Sequence, residues 1–366
     1  MTFDERLKAI CAGMAARGLD LIVALHDGAH FIETPNPVTV ISGFKSLGPA
    51  VCLLRVDGAV TLIVAPAWDE PRVRALCRRG RVVGVDDVVD GLRAALPPGK
   101  AAGTAGLDAA PYGLARRIAA LLPGAVAADD VVFDAAARKT GEEIAWAREA
   151  TRIAERNFAH LLAIARPGMS EDELAVALRL HAQSLGAEDN FLLLCAGPHN
   201  RAVAPSNGRR LAEGDIILAE ITPSCRGQLA QICRTAVVGA APALLREKYA
   251  LVVEAMNAGI AAACPGARLA DVCNAINAVL EAQGYGEYCH PPHIRRRGHG
   301  LGFASVRPGD VAPDNDTVLA PGMVFMIHPN QYLPETGYLL CGEPVLMGER
   351  GAEPLTRRQA ALAELR

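Results

Sequence analysis

The amino-acid sequence predicts two domains, a smaller α/β domain over residues 1–135 and a larger α+β domain over residues 136–366. The chain has 366 residues, which is the length of two ordinary domains. Before residue 135, short apolar runs typical of buried strands alternate with short helical patterns. After it, long helical patterns are separated by runs of alternating polar and apolar residues, which predicts helices packed on one face of an antiparallel sheet.

The composition is typical of a compact enzyme. Hydrophobic residues make up 51% of the chain, so a large core is expected, and the formal net charge of −3 argues against nucleic acid or an anionic membrane surface as the main partner. No apolar run approaches the roughly 18 residues that cross a bilayer. Acidic residues stand among the first eight positions, where a signal peptide has a basic region, so we expect a cytoplasmic protein.

The elements of the first domain follow from local patterns. An amphipathic pattern over 6–17 predicts a helix, and the apolar run 21–25 predicts a short buried strand. Two apolar runs, 49–54 and 60–64, flank Asp57-Gly58, which is a typical hairpin turn. Further helices are predicted over 70–79 and 109–122. Together these elements predict an α/β domain.

The second domain opens on helix-start signals. Thr140 is followed three residues later by Glu143, and Ser170 by Glu173, a pattern in which side chain and backbone cap each other at the start of a helix. We therefore predict helices from about 140 to 165 and from 170 to 186. Two further helices are predicted over 244–264 and 269–283, each ending at glycine or proline.

Polar residues interrupt the apolar faces of the strands that follow. In a strand over 214–221, Glu220 shares a face with two apolar residues, and in a strand over 228–238 the alternating set includes Gln231 and Cys233. An antiparallel pair would point Glu220 and Gln231 to the same side. Polar groups on such faces are costly to bury unless they are paired or used.

A second pair of strands carries the same signal. In the predicted strand 323–329, His328 shares a face with Val324 and Met326. The predicted strand 338–347 places Glu343 among apolar residues. Between the two pairs, His299 stands inside Gly298–Gly302, where glycines let the backbone approach closely beside one imidazole. We therefore expect Glu220, Gln231, His299, His328 and Glu343 to converge on one cavity.

These segments resemble the pita-bread family of creatinase, aminopeptidase P, prolidase and methionine aminopeptidase. In that family one strand carries an Asp and the next strand a second Asp eleven residues later, before Arg-Thr; here these positions are Glu220 and Gln231, followed by Arg234-Thr235. The family motif Gly-His-Gly-Ile-Gly matches residues 298–302. Its Pro-Gly-Met-Val segment ending in Glu-Pro matches residues 321–329, with His328 in place of Glu.

The resemblance extends over most of the chain. The last metal-binding Glu of the family corresponds to Glu343, and the first half resembles the creatinase-type N-terminal domain. The resemblance therefore implies an α+β pita-bread catalytic domain preceded by a smaller α/β domain. It also implies a homodimer.

The departures from the family pattern bear on the metal. Family metallopeptidases hold two ions with several carboxylates, but Gln231 is neutral and His328 replaces a carboxylate. Two hard cations would face only two carboxylates, so a two-metal site is disfavoured. A family histidine corresponds to Val203, for which His199 is a possible substitute, and another corresponds to Val306.

Three functions stay open, and the first is preferred. Creatinase works without a metal, so the resemblance implies a metal-independent hydrolase without a cofactor that cleaves a C–N bond of a small charged substrate. In it Glu220 and Glu343 would orient water or substrate, and His328 or His299 would protonate the leaving nitrogen. The first alternative is an Xaa-Pro-type aminopeptidase or dipeptidase with one Zn, Mn or Fe ion on Glu220, His299, His328 and Glu343. The second is an inactive peptidase-like binding protein.

Several residues are candidates for binding the substrate. His290 and His293 fall where related enzymes place a substrate-contacting histidine. Arg295 and Arg297 are the first and last residues of a run of three arginines, and one of the three could clamp a substrate carboxylate. Each candidate also has a structural interpretation, because buried histidines usually serve as hydrogen-bond partners and charge runs usually face solvent.

Overall fold

The structure is a computed structural model that describes residues 1–30, 34–77, 79–302 and 306–365. The chain divides into two compact units, one of Met1–Gly141 with Gly302–Arg307 and one of Glu142–Leu301 with Pro308–Arg366. The domain boundary after residue 135 stays a prediction. In the described ranges, no helix is both long and apolar enough to cross a bilayer.

The α-helices lie in both units. They are α1 (Phe3–Ala16), α2 (Pro37–Ser42), α3 (Glu70–Leu76), α4 (Val88–Ala95), α5 (Tyr112–Ala119), α6 (Asp129–Ala135), α7 (Gly141–Ile164), α8 (Glu171–Ser184), α9 (Ala243–Ala262) and α10 (Leu269–Ala282). Short 3₁₀ helices cover Ala67–Asp69 and Gly286–Cys289.

The strands form one sheet in the first unit and three in the second. They are β1 (Leu21–His26), β2 (Ala50–Arg55), β3 (Val60–Val64), β4 (Arg81–Gly84), β5 (Ala102–Ala105), β6 (Val126–Ala127), β7 (Asn190–Gly197), β8 (Ile216–Cys225), β9 (Gln228–Leu229), β10 (Ile232–Val238), β11 (Gly298–Gly300), β12 (Val324–Ile327), β13 (Gln331–Leu333), β14 (Gly337–Leu339), β15 (Glu343–Met347), β16 (Ala352–Pro354) and β17 (Ala363–Leu365).

The first unit is a six-stranded sheet in the order β4-β3-β2-β1-β5-β6. Alternate residues of β1 enter different cores: Ile22 and Ala24 pack with residues of α1 and α6, whereas Val23 and Leu25 pack with α4 and α5. Helices therefore cover both faces, and the predicted α/β class is confirmed. The predicted helix 70–79 ends at Leu76, and its residue 78 lies outside the described residues.

The second unit combines helices with largely antiparallel sheets. One sheet has the order β17-β10-β8-β7, with β9 paired to β8, and another has the order β11-β12-β15-β16. Apolar residues of α7 and α8 pack against β7, β8 and β10. The predicted α+β class is confirmed. At the start of α8 the predicted reciprocal cap is present, since Ser170 N–H donates to Glu173 (2.7 Å) and Glu173 N–H donates to Ser170 (3.1 Å).

Two predicted strands are interrupted in the structure. The run 228–238 divides into β9 and β10, and the run 338–347 divides into β14 and β15. At the second break, side chains replace the strand ladder as hydrogen-bond partners. The N–H of Leu340 donates to Thr235 Oγ1 at 2.9 Å, and the N–H of Cys341 donates to Asn330 Oδ1 at 3.0 Å. Satisfied backbone groups need no neighbouring strand, so the ladder can stop there.

Candidate active site

Glu220 and Gln231 meet between neighbouring strands. In the β8–β10 register Glu220 lies opposite Cys233, and Gln231 immediately precedes β10. Gln231 Nε2 donates to Glu220 Oε1 at 3.0 Å and to Thr222 Oγ1 at 3.2 Å. The two side chains therefore share a side, as the alternation predicts. Gln231 is buried, so its amide group needs hydrogen-bond partners inside the protein, and these two hydrogen bonds supply partners for its NH₂ group.

His299 joins this pair from β11. Gly298 has a φ of 151° and faces the carbonyl of Met326, and an added Cβ would overlap that oxygen, so the strand requires glycine beside His299. His299 Nε2 lies 3.1 Å from Gln231 Oε1. Glu220, Gln231 and His299 thus form a hydrogen-bonded row, which we call the Glu–Gln–His row.

His328 follows β12 and lies beside the row. Its ring centroid is 5.3 Å from that of His299, in an edge-to-face arrangement. Burial, and secondly the positive charge of His299, hold the pKa of His328 well below its ordinary value. His328 is therefore neutral at neutral pH. A neutral ring can accept a proton or bind a cation, and the expectation that His328 or His299 protonates the leaving nitrogen stays a prediction.

Glu343 lies apart from the Glu–Gln–His row. Its carboxylate is fully buried and forms an ion pair with Arg234 at 3.1 Å. It also accepts hydrogen bonds from Thr356 Oγ1 and from the N–H of Ala360, both at 2.6 Å. Burial raises the pKa of Glu343, and the Arg234 charge and the hydrogen bonds oppose this shift.

The predicted convergence of five side chains is wrong for Glu343. Strand residues alternate sides, so Arg234 leaves the face of β10 opposite to that of Cys233, which lies 3.8 Å from Glu220 Oε2. Because Glu343 is paired with Arg234, its carboxylate also lies on that opposite side. The prediction assumed an unbroken strand over 338–347, and the interruption at 340–342 makes its alternation invalid.

The candidate substrate-binding histidines lie elsewhere. His199 is exposed, and its Nε2 lies 2.9 Å from the carbonyl oxygen of Pro334. His293 stacks on Tyr332, with ring centroids 5.7 Å apart, and His290 is exposed. In the described residues, none of the three has a hydrogen bond to the Glu–Gln–His row. Their binding role stays a prediction.

The two candidate arginines differ. Arg295 is exposed and stays a candidate. Arg297 is only 1% exposed, and its guanidinium donates to Asn277 Oδ1 (2.7 Å), to Gln331 Oε1 (2.9 Å) and to the carbonyl of Pro329. The prediction that Arg297 clamps a substrate carboxylate is wrong because the group is buried and used inside the fold.

Sequence reasoning missed two polar neighbours of the site. The thiol of Cys233 lies 3.8 Å from Glu220 Oε2 and 3.7 Å from Asn330 Nδ2. The alternation that groups Gln231 with Cys233 was the available signal. Arg234 was noted within a motif, but nothing local to it indicates a carboxylate partner 109 positions away.

The side chains of this site do not fit the two metal ions that metallopeptidases of the pita-bread family hold. Within the described chain, no group of three or more His, Cys, Asp or Glu side chains is placed to hold a metal ion. Glu343 is neutralised by Arg234, which leaves Glu220 as the carboxylate of the row. A single ion fits only if the amide oxygen of Gln231 completes the set with Glu220 and an imidazole. His328 Nδ1 is a further buried nitrogen that has no hydrogen-bond partner in the described part of the chain.

The sequence matches one family model, described as metallopeptidase family M24, over residues 145–351. An Xaa-Pro dipeptidase of Pyrococcus furiosus is 30% identical over 237 residues, covering 64% of this chain and 67% of that protein. An uncharacterized peptidase of Bacillus subtilis is 28% identical over 221 residues. That match covers 60% of this chain and 62% of the relative, less than two thirds of its length.

Solved structures share the fold over nearly the whole chain. The prolidase from Pyrococcus horikoshii superposes with a TM-score of 0.85 at 23% identity, covering 97% of this chain and 99% of the other. The dipeptidase PepE from Mycobacterium ulcerans superposes with a TM-score of 0.79 at 25% identity, covering 100% and 98%. The predicted pita-bread fold with its N-terminal domain is confirmed.

These matches correct one prediction. We expected a protein without a cofactor, by resemblance to creatinase. The matching family is one of metallopeptidases, and relatives in it are Xaa-Pro dipeptidases, so the expectation of no cofactor is wrong. A divalent metal, which was the alternative, replaces it.

Proposed function

Because this chain belongs to metallopeptidase family M24, we propose that it is a peptidase of the Xaa-Pro dipeptidase or aminopeptidase class that uses a single divalent metal ion. The observation that carries the proposal is the Glu–Gln–His row, with distances of 3.0 and 3.1 Å, on the sheets of the second unit. Relatives named Xaa-Pro dipeptidase support the substrate class. The substrate is then a short peptide with proline after its first residue.

A single ion follows from the charges near the row. Two divalent ions need several anionic oxygens, as hard cations prefer carboxylates. Gln231 brings a neutral oxygen where the family pattern has an Asp, and the charge of Glu343 is compensated by Arg234 at 3.1 Å. Glu220 then supplies the negative charge at the row, which suits one ion better than two.

The ligands of that ion would come from the row. Glu220 offers a carboxylate, Gln231 an amide oxygen and His299 an imidazole nitrogen, a mixed set suited to Zn, Mn or Fe(II). His328 Nδ1, which is buried and has no hydrogen-bond partner in the ranges that the structure describes, is kept for proton transfer. When bound, such an ion supplies Lewis-acid polarisation of the peptide carbonyl and lowers the pKa of water.

The side chains of the site also have tasks of their own. Glu220 fixes the amide of Gln231, and the amide oxygen in turn fixes Nε2 of His299. His328 is uncharged at neutral pH, so it can take a proton from an attacking water and pass it to the nitrogen that leaves. Since imidazole accepts and returns one proton, the proton count closes over a hydrolytic turnover.

A substrate panel tests this proposal. We would purify the protein without chelator, load it separately with Mn²⁺, Zn²⁺ or Fe²⁺, and measure kcat/KM on Xaa-Pro dipeptides, Xaa-Pro tripeptides and matched dipeptides with alanine in place of proline. We expect at least about tenfold preference for proline, which corresponds to about 1.4 kcal/mol in transition-state binding. Dipeptide or tripeptide preference separates dipeptidase from aminopeptidase.

Two variants complete the test. His328→Ala removes the proton carrier, so kcat should fall about 100-fold while the metal content stays unchanged. His160→Ala, which removes a half-buried histidine on α7 far along the chain from the row, is the matched control and should keep full activity. No hydrolysis of any Xaa-Pro peptide by metal-loaded protein would contradict the proposal and favour a peptidase-like binding protein.

A further inference from the structure

The strongest unassigned feature is the buried ion pair of Arg234 and Glu343. Both side chains are at most 4% exposed, and Arg234 Nη2 lies 3.1 Å and 3.3 Å from the two oxygens of Glu343. Burying two charges costs free energy, which is recovered only when geometry and additional hydrogen bonds satisfy both groups. The contacts around this pair show what the arrangement holds together.

One set of contacts ties down the chain near the C-terminus. Both oxygens of Glu343 are used there, one by Thr356 Oγ1 and the other by the N–H of Ala360, each at 2.6 Å. Arg234 Nη2 donates to the carbonyl of Arg358 at 3.2 Å. We call residues 356–360 the anchored segment. Its backbone is also held by Glu155, which accepts the N–H of Arg358 at 2.9 Å.

A second set of contacts leads to His328. Arg234 Nη1 donates to the carbonyl oxygens of Gly342 (2.7 Å) and of Cys233 (3.0 Å). Gly342 in turn lies directly against His328, since a Cβ added to Gly342 would come within 2.5 Å of Cβ of His328. The ion pair therefore holds Gly342, a backbone position that lies against His328.

We infer that Glu343 is a positioning residue, which holds the anchored segment and, through Arg234 and Gly342, the ring of His328, and that it is not a metal ligand. The inference rests on the proposed function, because that function gives His328 its task. The cation that neutralises Glu343 is built into the fold.

A comparison of a single and a double substitution at the ion pair tests the inference. Glu343→Gln leaves the guanidinium of Arg234 buried without its charge partner, so Tm should fall by about 10 °C. Replacing both partners by apolar residues, Arg234→Met with Glu343→Leu, removes both buried charges and should regain most of that loss. Metal per chain should stay at the wild-type value in Glu343→Gln, and kcat should fall about tenfold while KM stays within a factor of two.

A milder variant keeps the test readable if Glu343→Gln does not fold. Thr356→Val removes one donor to Glu343 and leaves Arg234 in place, so amide hydrogen exchange in residues 356–360 should accelerate about tenfold with unchanged metal content. Thr317→Val, a substitution of a half-buried threonine elsewhere in the same unit, is the matched control.

Two results would overturn the inference. One is loss of metal from Glu343→Gln with an unchanged Tm, as expected of a ligand. The other is a double variant, Arg234→Met with Glu343→Leu, that is as unstable as Glu343→Gln. Measured in chelator, Tm and hydrogen exchange depend on neither peptide hydrolysis nor bound metal, so a failure of the proposed function and a failure of this inference are distinguishable.

Discussion

At the scale of residues, two departures from the family pattern, Gln231 and His328, change the charge available to a metal. Gln231 keeps a hydrogen bond to Glu220 at 3.0 Å that a second carboxylate could not make without a proton or an ion between them. His328 is neutral because it is buried. The row therefore holds one carboxylate, Glu220, which accepts a hydrogen bond from the amide of Gln231.

Gln231→Glu tests the role of the neutral amide. A second carboxylate about 3 Å from Glu220 repels it, so we expect the free energy of unfolding to fall by about 2 kcal/mol in chelator. Saturating Mn²⁺ should restore it, because an ion that binds only the folded state stabilises that state. Urea unfolding with and without Mn²⁺ measures both. Gln359→Glu, at an exposed position, is the control, and equal behaviour of the two variants would contradict the prediction.

A second residue-scale prediction concerns pH. Burial lowers the pKa of His26 to about 4, with the stacked His30 adding to the shift and Asp27 opposing it. The unfolded chain binds a proton at His26 near pH 6.5 and the folded chain does not, so stability present above pH 6.5 is lost as pH falls toward 4. The loss is roughly 3 kcal/mol.

His26→Gln removes that titration, so its stability should depend less on pH between 7.5 and 4.5 than that of the wild type. Chemical unfolding at both pH values checks this. Thr317→Val, at a half-buried position that carries no titratable group, serves as the control and should keep the wild-type slope. An undiminished slope in His26→Gln would show that other groups carry the pH dependence.

At the scale of elements, the sequence predicts helices better than strand continuity. The start of α8 is set by Ser170 and Glu173, three residues apart, so the signal is local. The break between β14 and β15 depends on Thr235 and Asn330, whose partners lie up to 105 positions away, and no local pattern carries it. For the same reason, alternation correctly predicts that Glu220 and Gln231 share a side. It predicts the wrong side for Glu343, which comes after the break and pairs with Arg234.

Gly342→Ala tests this break. The added Cβ would meet Cβ of His328 at 2.5 Å and the methyl of Met326 at 2.6 Å, so His328 must shift. We expect a loss of about 2 kcal/mol in stability and of about tenfold in kcat. Gly286→Ala is the control, because its nearest neighbour, Cγ of Glu281, lies at an ordinary 3.5 Å. Unchanged activity of Gly342→Ala would contradict a tight fit at His328.

At the scale of the whole molecule, the two units have the classes that their sequence patterns predict, and the second one carries every residue of the candidate row. Chain length and hydrophobic alternation predict these fold classes because a fold class depends on the pattern of many residues taken together. The partner of Arg297 and the partner of Glu343 do not follow from averages, since each is one side chain distant in sequence.

The homodimer implied by the family resemblance belongs to this scale. We propose it for this chain, whose formula mass is 38.5 kDa. Light scattering at micromolar concentration should give twice that mass. A monomer mass at every concentration would contradict it, and would leave the row, which lies within one unit of one chain, unaffected.

The number and position of the metal ions test the central claim most directly. Crystals of the Mn²⁺-loaded protein, measured at the manganese absorption edge, locate each ion by anomalous scattering. We expect one peak per chain, at about 2.0–2.3 Å from the Glu220 carboxylate, the Gln231 amide oxygen and an imidazole nitrogen, with Glu343 still paired to Arg234. Two peaks bridged by Glu343 would contradict the claim.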